Sequence, residues 1–387
     1  MLKSNVGSST AQDARLAGKE AAAKAKNGLT GIKLAFAYAS AAYDMDQFLA
    51  GMAEELPGVP TIGNTSYTGV ITSDGFVSEN GNFVGVMAFA DDTLAVGVAG
   101  SPRGEDARAT GRKIAEEAIR KAGKNGPPDY FYMAASPGEE EFYLKGIADV
   151  IGRVPVFGGS AADNDITGQW QVYTGEGAFA DGAAVAFMYG KPMTNLLTGA
   201  YRETEDVGII TKVRDNRVLV EIDGVPALKK YAAWEGVDPD SLMGGNLLVH
   251  TVTAPLGVKD RLGDLTAIRH PMNGNDDYSM NIGANLAEKT AVIHMQSSVD
   301  ELVQSASQTL ESLKAKMNGE AAAYHLVHCG GRRICIEDRI GEVAEAVKKA
   351  AGGVPFILEF TFGEYGFEDD GNNTTGGLML SYTGFKK

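Results

Sequence analysis

Charged and polar side chains able to recognise a small ligand lie close together near the end of the sequence. They occur within VHCGGRR, FTFGEYG and NNTTGG, and they are Cys329, Arg332, Arg333, Glu364, Asn373 and Thr374. A guanidinium fork suits a carboxylate and a glutamate suits an ammonium group, so together they would recognise the backbone end of an amino acid. An internal Arg–Glu ion pair that braces two strands without a ligand is the alternative that the sequence leaves open.

Cys329 would act as a nucleophile only if a base lay within its reach. His328 directly precedes it, but successive side chains of a strand point to opposite faces. The same alternation separates His325 from His328, so a zinc site built from these histidines and Cys335 lacks converging ligands. We therefore expect no catalytic residue and no metal site, and we predict that the protein is not an enzyme.

The histidines are the residues that could hold a haem, because histidine is the usual axial ligand of its iron. The chain contains His250, His270, His294, His325 and His328. None lies in a sequence context that marks it as a ligand, and no Cys-x-x-Cys-His attachment motif occurs. The residues themselves therefore predict no cofactor.

Small residues at predicted strand ends would form the rest of a ligand site. The strand ends are Ser40, Ser136 and Cys329, and predicted glycine turns lie at Gly63, at Gly158-Gly159 beside Ser160, and at Gly363. In sheets with crossover helices, ligands bind in the crevice at such strand ends. Small residues would equally let a helix begin close to its strand, so both interpretations stay open.

These positions belong to a unit that occurs three times along the chain. The first unit has a strand at 32–40, a helix at 45–55 and Val59-Pro60 before its next strand, and its residues 6–28 share Asp-Ala-Arg with 98–126. The second has strands at 91–100 and 129–136, helices at 105–123 and 139–152, and then Val154-Pro155. The third has strands at 288–298 and 323–331, helices at 298–316 and 337–353, and then Val354-Pro355. An internal repeat of this order predicts the fold directly.

Each Val-Pro strand is followed by glycine-rich alternating segments, which predict antiparallel strands with turns at Asp74-Gly75 and Asn80-Gly81. We therefore predict an α+β fold of repeated β-α-β-α-β units with antiparallel additions, its helices packed on mixed sheets. The first domain would span 1–218, with copies at about 6–97 and 98–200. The second would span 219–387, with an insertion at 219–287 and the third copy at 288–384.

Bulk properties exclude several classes of protein. The 387 residues carry a formal net charge of −15, which opposes binding to nucleic acid or to an anionic membrane surface. Two cysteines make no disulfide scaffold, and no apolar run is long enough for a membrane span. The first residues, MLKSNVGSSTAQDAR, lack the apolar region of a signal peptide, so we expect a cytoplasmic protein.

The motifs of the third unit resemble the C-terminal half of FIST proteins. VHCGGRR (327–333), FTFGEYG (360–366) and NNTTGG (372–377) carry the resemblance, and they follow VPVFGGSAADN (154–164), DGVPALKKY (223–231) and the arginine of TAIRHP, Arg269. The order of these motifs extends over nearly the whole chain, so the chain is similar to a FIST N-terminal domain joined to a FIST C-terminal domain.

The resemblance implies a sensory protein that binds a small ligand, amino acids being one class. FIST regions accompany signalling outputs such as kinases or cyclase-type domains. Since FIST sequence takes up residues 1–387, we expect the signal to leave through a separate partner of that type. One branch of the family is similar to haem-binding nitric-oxide sensors, which makes a haem-based gas sensor the alternative. An enzyme that acts through Cys329 is the other alternative.

Overall fold

The computed structural model describes residues 1–190, 193–259, 265–368 and 373–387, and it shows an α+β fold in two domains. The strands, numbered along the chain, are β1 (Lys3–Ser9), β2 (Ile32–Ala39), β3 (Thr61–Thr65), β4 (Val70–Thr72), β5 (Gly75–Val77), β6 (Val84–Ala90), β7 (Ala95–Pro102), β8 (Tyr130–Ala135), β9 (Val156–Ser160), β10 (Val172–Thr174), β11 (Gly177–Phe179), β12 (Gly182–Tyr189), β13 (Met193–Thr198), β14 (Arg202–Arg214), β15 (Val218–Ile222), β16 (Val225–Pro226), β17 (Leu256–Lys259), β18 (Thr266–Arg269), β19 (Pro271–Gly274), β20 (Met280–Ile282), β21 (Ala291–Gln296), β22 (Ala321–Cys329), β23 (Phe356–Thr361), β24 (Glu364–Phe367), β25 (Asn373–Gly376) and β26 (Leu380–Lys386). The α-helices are α1 (Ala14–Lys26), α2 (Met45–Glu55), α3 (Ala107–Lys121), α4 (Glu140–Ile151), α5 (Ala227–Glu235), α6 (Asn246–His250), α7 (Val299–Lys316), α8 (Gly330–Ile336) and α9 (Ile340–Ala351).

Local sequence explains where the long helices begin. Asp13 and Asp44 accept hydrogen bonds from the backbone of Leu16 and Gln47 at the starts of α1 and α2. Helix α7 opens with a capping box in which Ser298 and Glu301 each bond the backbone of the other. Such caps satisfy amide groups that a helix leaves unpaired at its first turn. The predicted bounds of α2 agree with the structure, and those of α3, α4, α7 and α9 differ by a few residues.

Three of the four sheets follow one strand order. They read β1-β6-β2-β3-β10-β11, β7-β12-β8-β9-β24-β25 and β13-β26-β22-β23-β4-β5. In each sheet the third and fourth strands are parallel and the other neighbours are antiparallel. The last two strands always come from another unit, so each sheet is completed by a hairpin that a different unit supplies. This exchange interlocks the three units.

The Val-Pro pairs stand directly before the strands β3, β9 and β23. The carbonyl groups of Pro60, Pro155 and Pro355 each accept a hydrogen bond from the neighbouring parallel strand, at 2.9–3.0 Å. Proline has no N–H to donate, so it costs least at the first residue before a strand. The prediction that each Val-Pro introduces a strand is confirmed.

Ends of the same three strands meet at the centre of the molecule. The backbone N–H of Tyr67 donates to Phe360, that of Ala162 to Thr65 and that of Phe362 to Ser160, at 2.8–3.1 Å. Below this ring of bonds the side chains of Phe36, Tyr132 and His325 contact one another, with ring centroids 5.1–5.3 Å apart. The strand ends of all three units therefore converge, and a site built there draws residues from several units.

The structure corrects the first strand predicted for the third unit. Residues 288–298 contain β21, but β21 pairs with β14 and β17 in the fourth sheet. Strand β13 occupies the edge beside β26 instead. The prediction was wrong because the fourth sheet is inserted between β13 (Met193–Thr198) and α7 (Val299–Lys316), so the unit begins more than a hundred residues before its first helix. That sheet reads β18-β17-β21-β14-β15-β20-β19, with β16 on β15, and carries α5 and α6.

Gly158 and Gly159 do not form the predicted turn, because both lie inside β9. A methyl group on Gly158 would lie 2.0 Å from the carbonyl oxygen of Met133, and one on Gly159 would lie 2.6 Å from Thr361. Glycine is required here because neighbouring backbones approach too closely for a side chain. The predicted turn at Asn80-Gly81 is confirmed, since both residues have positive φ and the bridge Glu79–Asn82 closes it.

Candidate functional site

A cavity of about 380 Å³ lies where the ends of β8, β22 and β23 face the inserted fourth sheet. Most of its walls are apolar, and a few polar groups converge on it. The lining residues are Pro137, Gly138, Glu140, Ile166, Trp170, Arg217, Leu248, Val249, Val252, His270, Met272, Gly283, Cys329, Gly331, Ile334, Phe362 and Gly377. An apolar cavity of this size with few polar groups is the common form of a small-molecule site. It is called the central pocket below.

Cys329 and His270 both lie close to Gly331, and we call these three residues the floor of the central pocket. A methyl group built on Gly331 would lie 3.6 Å from the Cys329 sulfur and 3.5 Å from His270 Cε1. The backbone N–H of Leu378 donates to the sulfur at 3.2 Å, and only 4% of Cys329 is exposed. The absence of a side chain at Gly331 therefore leaves space beside both the thiol and the imidazole.

Both floor groups are held in their neutral forms. Burial, followed by the nearby carboxyl group of Glu364, raises the pKa of the Cys329 thiol well above its ordinary value. Burial lowers the pKa of His270 to about 4, and the bond of its Nε2 to the Leu248 carbonyl, at 3.1 Å, opposes that shift. A protonated thiol is a weak nucleophile, so the floor is suited to contact with a ligand and not to covalent chemistry.

An ion pair lines one wall of the central pocket. Arg217 Nη2 lies 2.6 Å from Glu140 Oε2 and 2.6 Å from Glu141 Oε2. Glu140 is the first residue of α4 and only 3% exposed, while Arg217 stands directly before β15 in the inserted sheet. Burial opposes the charge of Arg217, but the two carboxylates outweigh it and raise its pKa. The wall thus offers one cation and one anion side by side.

The ion pair is connected to the centre of the molecule. Ser160 Oγ donates to Glu140 Oε1 at 2.9 Å and lies 2.6 Å from the hydroxyl of Tyr365. Ser160 ends β9 of the second unit, and Tyr365 belongs to the hairpin strand β24 that pairs with it. A displacement of Glu140 would therefore alter hydrogen bonds at the junction of the second and third units.

Glu364 lies beside Cys329 but does not line the central pocket. Its two carboxyl oxygens accept hydrogen bonds from Thr361 Oγ1 and the Met379 N–H, both at 2.8 Å, and the residue is fully buried. Burial raises the pKa of Glu364 to about 8, and the hydrogen bonds offset part of that effect. Of the residues predicted for the ligand site, the structure thus brings Glu364 and Cys329 together.

Arg332 is fully buried and contacts groups of the protein itself. Its guanidinium donates to the carbonyl oxygen of Gly199 at 2.7 Å, to that of Leu378 at 3.3 Å, and to the hydroxyl of Ser305. It lies over the ring of Tyr201, 5.6 Å from the centroid. These contacts are those of an internal brace, and they hold the guanidinium without an ion pair to Glu364. A ligand role for Arg332 stays a prediction.

Three further predicted residues lie away from the central pocket. Arg333 donates to the Glu337 carbonyl at 2.7 Å and lies over the ring of Phe76. Asn373 donates to the Val154 carbonyl at 2.8 Å, and Thr374 lines a separate cavity together with Arg269. Asn372, the first residue of NNTTGG, lies outside the described residues. The structure therefore does not bring Arg333, Asn373 and Thr374 together with Cys329.

The small strand-end residues occupy equivalent positions but make different contacts. Ser40 accepts from the Asn164 side chain at 3.0 Å, and Ser136 donates to Asp181 at 2.9 Å. Ser136 is followed by Pro137 and Gly138, which line the central pocket, whereas Ser160 reaches it only through Glu140. Gly158 and Gly159 act through close backbone packing, as described above. Their roles in ligand binding stay predictions.

Sequence reasoning missed Glu140 and Arg217, and it considered His270 only as a haem ligand. Glu140 lies in an acidic run at a helix start, and Arg217 lies beside a predicted turn, so both had the appearance of ordinary surface residues. Their pairing joins positions 77 residues apart and depends on the inserted sheet. His270 follows Arg269 in TAIRHP, and its place beside this family motif was the one sequence feature that could have indicated a site residue.

Family models match most of the chain. The FIST N domain matches residues 33–225, and the FIST C domain matches residues 227–366. A search of curated proteins finds no match. The chain therefore belongs to the FIST family, whose domains are sensory domains of signal-transduction proteins. Glu140 and Arg217 lie in the N-domain match and His270 and Cys329 in the C-domain match, so both domains line the central pocket.

Solved structures add little to this assignment. A cyanuric acid hydrolase from A. caulinodans aligns over 100% of each chain with 9% identity and a TM-score of 0.36. Phosphoribosylformylglycinamidine synthase II from Thermotoga maritima aligns over 100% of this chain and 72% of its own, with 12% identity and a TM-score of 0.23. Scores this low carry no argument about the fold or the function of the present chain. No helix within the described residues has the length and apolar character needed to cross a bilayer.

Proposed function

We propose that this FIST protein senses a small ligand, an amino acid with an apolar side chain or a similar carboxylate, in the central pocket. The observation that carries the proposal is the Arg217–Glu140 ion pair set into a wall of an otherwise apolar cavity. A zwitterion matches this wall, because its carboxylate suits Arg217 and its ammonium group suits Glu140. The apolar walls, with Trp170, Val252 and Phe362 among them, would then hold the side chain of the ligand.

The same ion pair supplies a route for the signal. Arg217 belongs to the inserted sheet and Glu140 to the second unit, so a ligand between them changes the contact that ties these parts. Glu140 passes the change to Ser160 and Tyr365. A separate partner, such as a kinase or a cyclase-type protein, would bind the ligand-bound conformation with a different affinity. For this to happen, the ligand must bind more tightly to the conformation that the partner recognises than to the other conformation.

Two observations favour this proposal over its alternatives. The raised pKa of the Cys329 thiol opposes its use as a nucleophile, which disfavours an enzyme acting through Cys329. His270 is the histidine that lines the central pocket, and its Nε2 is already bonded to the Leu248 carbonyl. This histidine does not fit an axial haem ligand that must present Nε2 to the iron.

Thermal unfolding with a panel of amino acids tests the proposal. A ligand that binds only the folded state raises the unfolding midpoint. We expect at least one amino acid with an apolar side chain to raise the midpoint of the wild type, and Arg217→Ala to abolish that rise. Arg214→Ala is the matched control, because Arg214 lies three residues away and its partner is the exposed Asp277. No shift with any amino acid, or equal shifts in both variants, would refute the proposal. A Soret band in the purified protein would favour the haem alternative.

A further inference from the structure

A second concave site lies along the inserted sheet and shares no lining residue with the central pocket. It consists of two adjoining cavities of about 370 Å³ and 530 Å³, which share Val258, Arg269 and Thr290. We call the two cavities together the basic groove. The first also contains Phe142, Lys145, Asn216 and Asn285, and the second contains Lys259, Lys289, Glu368 and Thr374.

The basic groove concentrates positive charge on a chain whose formal net charge is −15. Lys145, Lys289 and Arg269 line it, and in the described part of the chain none of the three forms an ion pair. Lys145 lies over the ring of Phe142, 5.0 Å from its centroid. Among the described residues, Lys259 makes a long contact of 3.4 Å with Glu203. Cations left unpaired in a concavity attract anions, because the field is focused there.

Arg269 is the centre of the basic groove. Its Nη1 donates to the carbonyl oxygens of Thr375 at 3.0 Å and Ile268 at 3.2 Å, and its Nε is buried without a partner. Glu141 acts on Arg269 only from beyond hydrogen-bond distance and is itself bonded to Arg217 and to the Asn285 N–H. A partly buried guanidinium that still has a donor to give is the usual anchor of a planar or tetrahedral anion.

We propose that the basic groove binds a phosphate-type anion, either inorganic or carried by a small organic molecule, with Arg269 as its anchor. Lys289 and Lys145 would neutralise the further charge of a dianion. The neutral donors Asn216, Asn285 and Thr290 lie in the same walls and would complete its hydrogen bonds. Lys145, Arg269 and Lys289, set against the one lining carboxylate of Glu368, favour phosphate over a singly charged carboxylate, because the gain grows with the ligand charge. This site is independent of the central pocket.

Calorimetric titration of the whole protein with inorganic phosphate, pyrophosphate and acetate tests the proposal. We expect saturable binding of one pyrophosphate, weaker binding of phosphate and none of acetate. Raising the salt concentration should weaken the binding, since exposed charges are screened. Arg269→Gln should weaken pyrophosphate binding by at least about tenfold, because a bidentate donor is lost.

Lys289→Gln should also weaken the binding, and this variant removes no ion pair that the fold needs. Arg202→Gln is the control, because Arg202 is an exposed arginine of the same sheet that pairs with Glu301. It should bind pyrophosphate as the wild type does. Absence of saturable pyrophosphate binding by the wild type would overturn the proposal. Equal weakening in Arg202→Gln and Lys289→Gln would also overturn it, by showing a general charge effect.

Discussion

Cys329 and His270 show how surroundings determine what a residue can do. Each is of a type that often performs catalysis, and the two lie close together at the floor of the central pocket. Burial raises the pKa of the thiol and lowers that of the imidazole, so both are neutral near pH 7. In these states they offer a soft, weakly polar floor, which suits ligand recognition in a sensory domain.

Gly331 leaves space at the floor because it has no side chain, and a side chain at this position should block the central pocket. In Gly331→Ala the new methyl group would lie 2.7 Å from the end of the flexible Leu378 side chain, which can move aside at small cost. Alanine also favours the helix α8. We therefore expect an unfolding midpoint no lower than that of the wild type, with ligand-induced shifts reduced or lost.

Gly341→Ala is the control for this substitution. Gly341 also lies in a helix, α9, and a methyl group there would contact nothing within 4 Å. Thermal unfolding with and without the best amino acid compares the two variants. A full ligand-induced shift in Gly331→Ala would show that the ligand does not occupy the floor between Cys329 and His270.

Buried acids and histidines give stability an expected pH profile. Burial raises the pKa values of Glu359 and Glu364 to about 8, above the ordinary 4.5. It lowers those of His325 and His328 to about 3 and that of His270 to about 4, below the ordinary 6.5. The folded protein therefore holds carboxyl protons that the unfolded chain releases above about pH 4.5, and it lacks imidazole protons that the unfolded chain binds below about pH 6.5.

The two effects act in opposite directions along the pH scale. The contribution of the carboxyl groups is complete below their unfolded pKa and is lost as the pH rises through about 8. The contribution of the histidines is complete above their unfolded pKa and is lost as the pH falls through about 4 to 3. Between about pH 6.5 and 8 the folded protein keeps these carboxyl protons while the unfolded chain has released them, so we expect stability to fall with rising pH in that window.

Glu359→Gln should flatten this fall. Glu359 accepts hydrogen bonds from Asn64 at 2.8 Å and Tyr132 at 3.1 Å and is fully buried. Removing its titration should spare about 1–2 kcal/mol of the loss between pH 6.5 and 8. Urea unfolding at several pH values measures the slope, with Glu345→Gln on the exposed face of α9 as control. An unchanged slope in Glu359→Gln would mean that this carboxyl group is ionised in the folded protein.

At the scale of elements, Arg332 joins segments that are distant in the sequence. It stands in α8 directly after β22, and it bonds Ser305 of α7, Gly199 after β13 and Leu378 before β26. Four elements of the third unit are thus held by one guanidinium. Buried acceptors that lose their donor cost about 1–3 kcal/mol each.

Arg332→Met should therefore lower the free energy of unfolding by at least about 2 kcal/mol without ligand, although it nearly preserves the volume of the side chain. Arg333→Met is the matched control, because Arg333 is less buried and donates to one carbonyl of its own segment. We expect it to change stability by less than about 1 kcal/mol. Denaturant unfolding measures both. Unchanged stability of Arg332→Met, with lost ligand binding, would support the original hypothesis of a ligand contact instead.

Sequence patterns predicted the helices and strands better than they predicted which strands pair with one another. The helices follow apolar periodicity and side-chain caps, and the strands after Val-Pro follow from the missing N–H of proline. These signals are local. The edge strand β13 was missed because its partner β26 is nearly 190 residues away, and the strand pattern of β21 fitted the repeat equally well. Gly158 and Gly159 were predicted as a turn because tight turns and close backbone packing both require glycine, and the sequence does not distinguish them.

At the scale of the whole molecule, the exchanged hairpins make each unit depend on another. Strand β10 completes the first sheet, β24 the second and β4 the third. Opening any one unit would expose the edge of its neighbour. That the units superpose as copies of one fold, and that the domains divide near residue 218, stay predictions.

Hydrogen exchange should reveal this dependence. We expect the amides of the central strands β3, β9 and β23 to exchange through one shared opening, with similar free energies, because no unit is complete without another. Mass spectrometry of peptides from the three strands measures this under native conditions. One central strand exchanging far faster than the other two would show that its unit opens independently.

The candidate site was harder to predict from local sequence than the fold, because its residues meet only in the assembled molecule. Cys329 was identified in the sequence because it ends a strand of a repeated unit. Arg217 and Glu140 were not, since their pairing requires the inserted sheet to pack against the second unit. No local pattern encodes such a contact. The central pocket therefore becomes visible only when both FIST domains are assembled.

The proposed sensing function requires a zwitterionic ligand to bind between Arg217 and Glu140. The most direct measurement is a calorimetric titration of the wild-type protein with the amino acid that gives the largest thermal shift, and with its amide and its N-acetyl derivative. Each derivative removes one ligand charge and leaves one member of the ion pair unmatched. We predict that each binds more weakly by about 2–5 kcal/mol, the usual cost of truncating one partner of a buried charge pair. Equal affinity of the free amino acid and both derivatives would contradict the account.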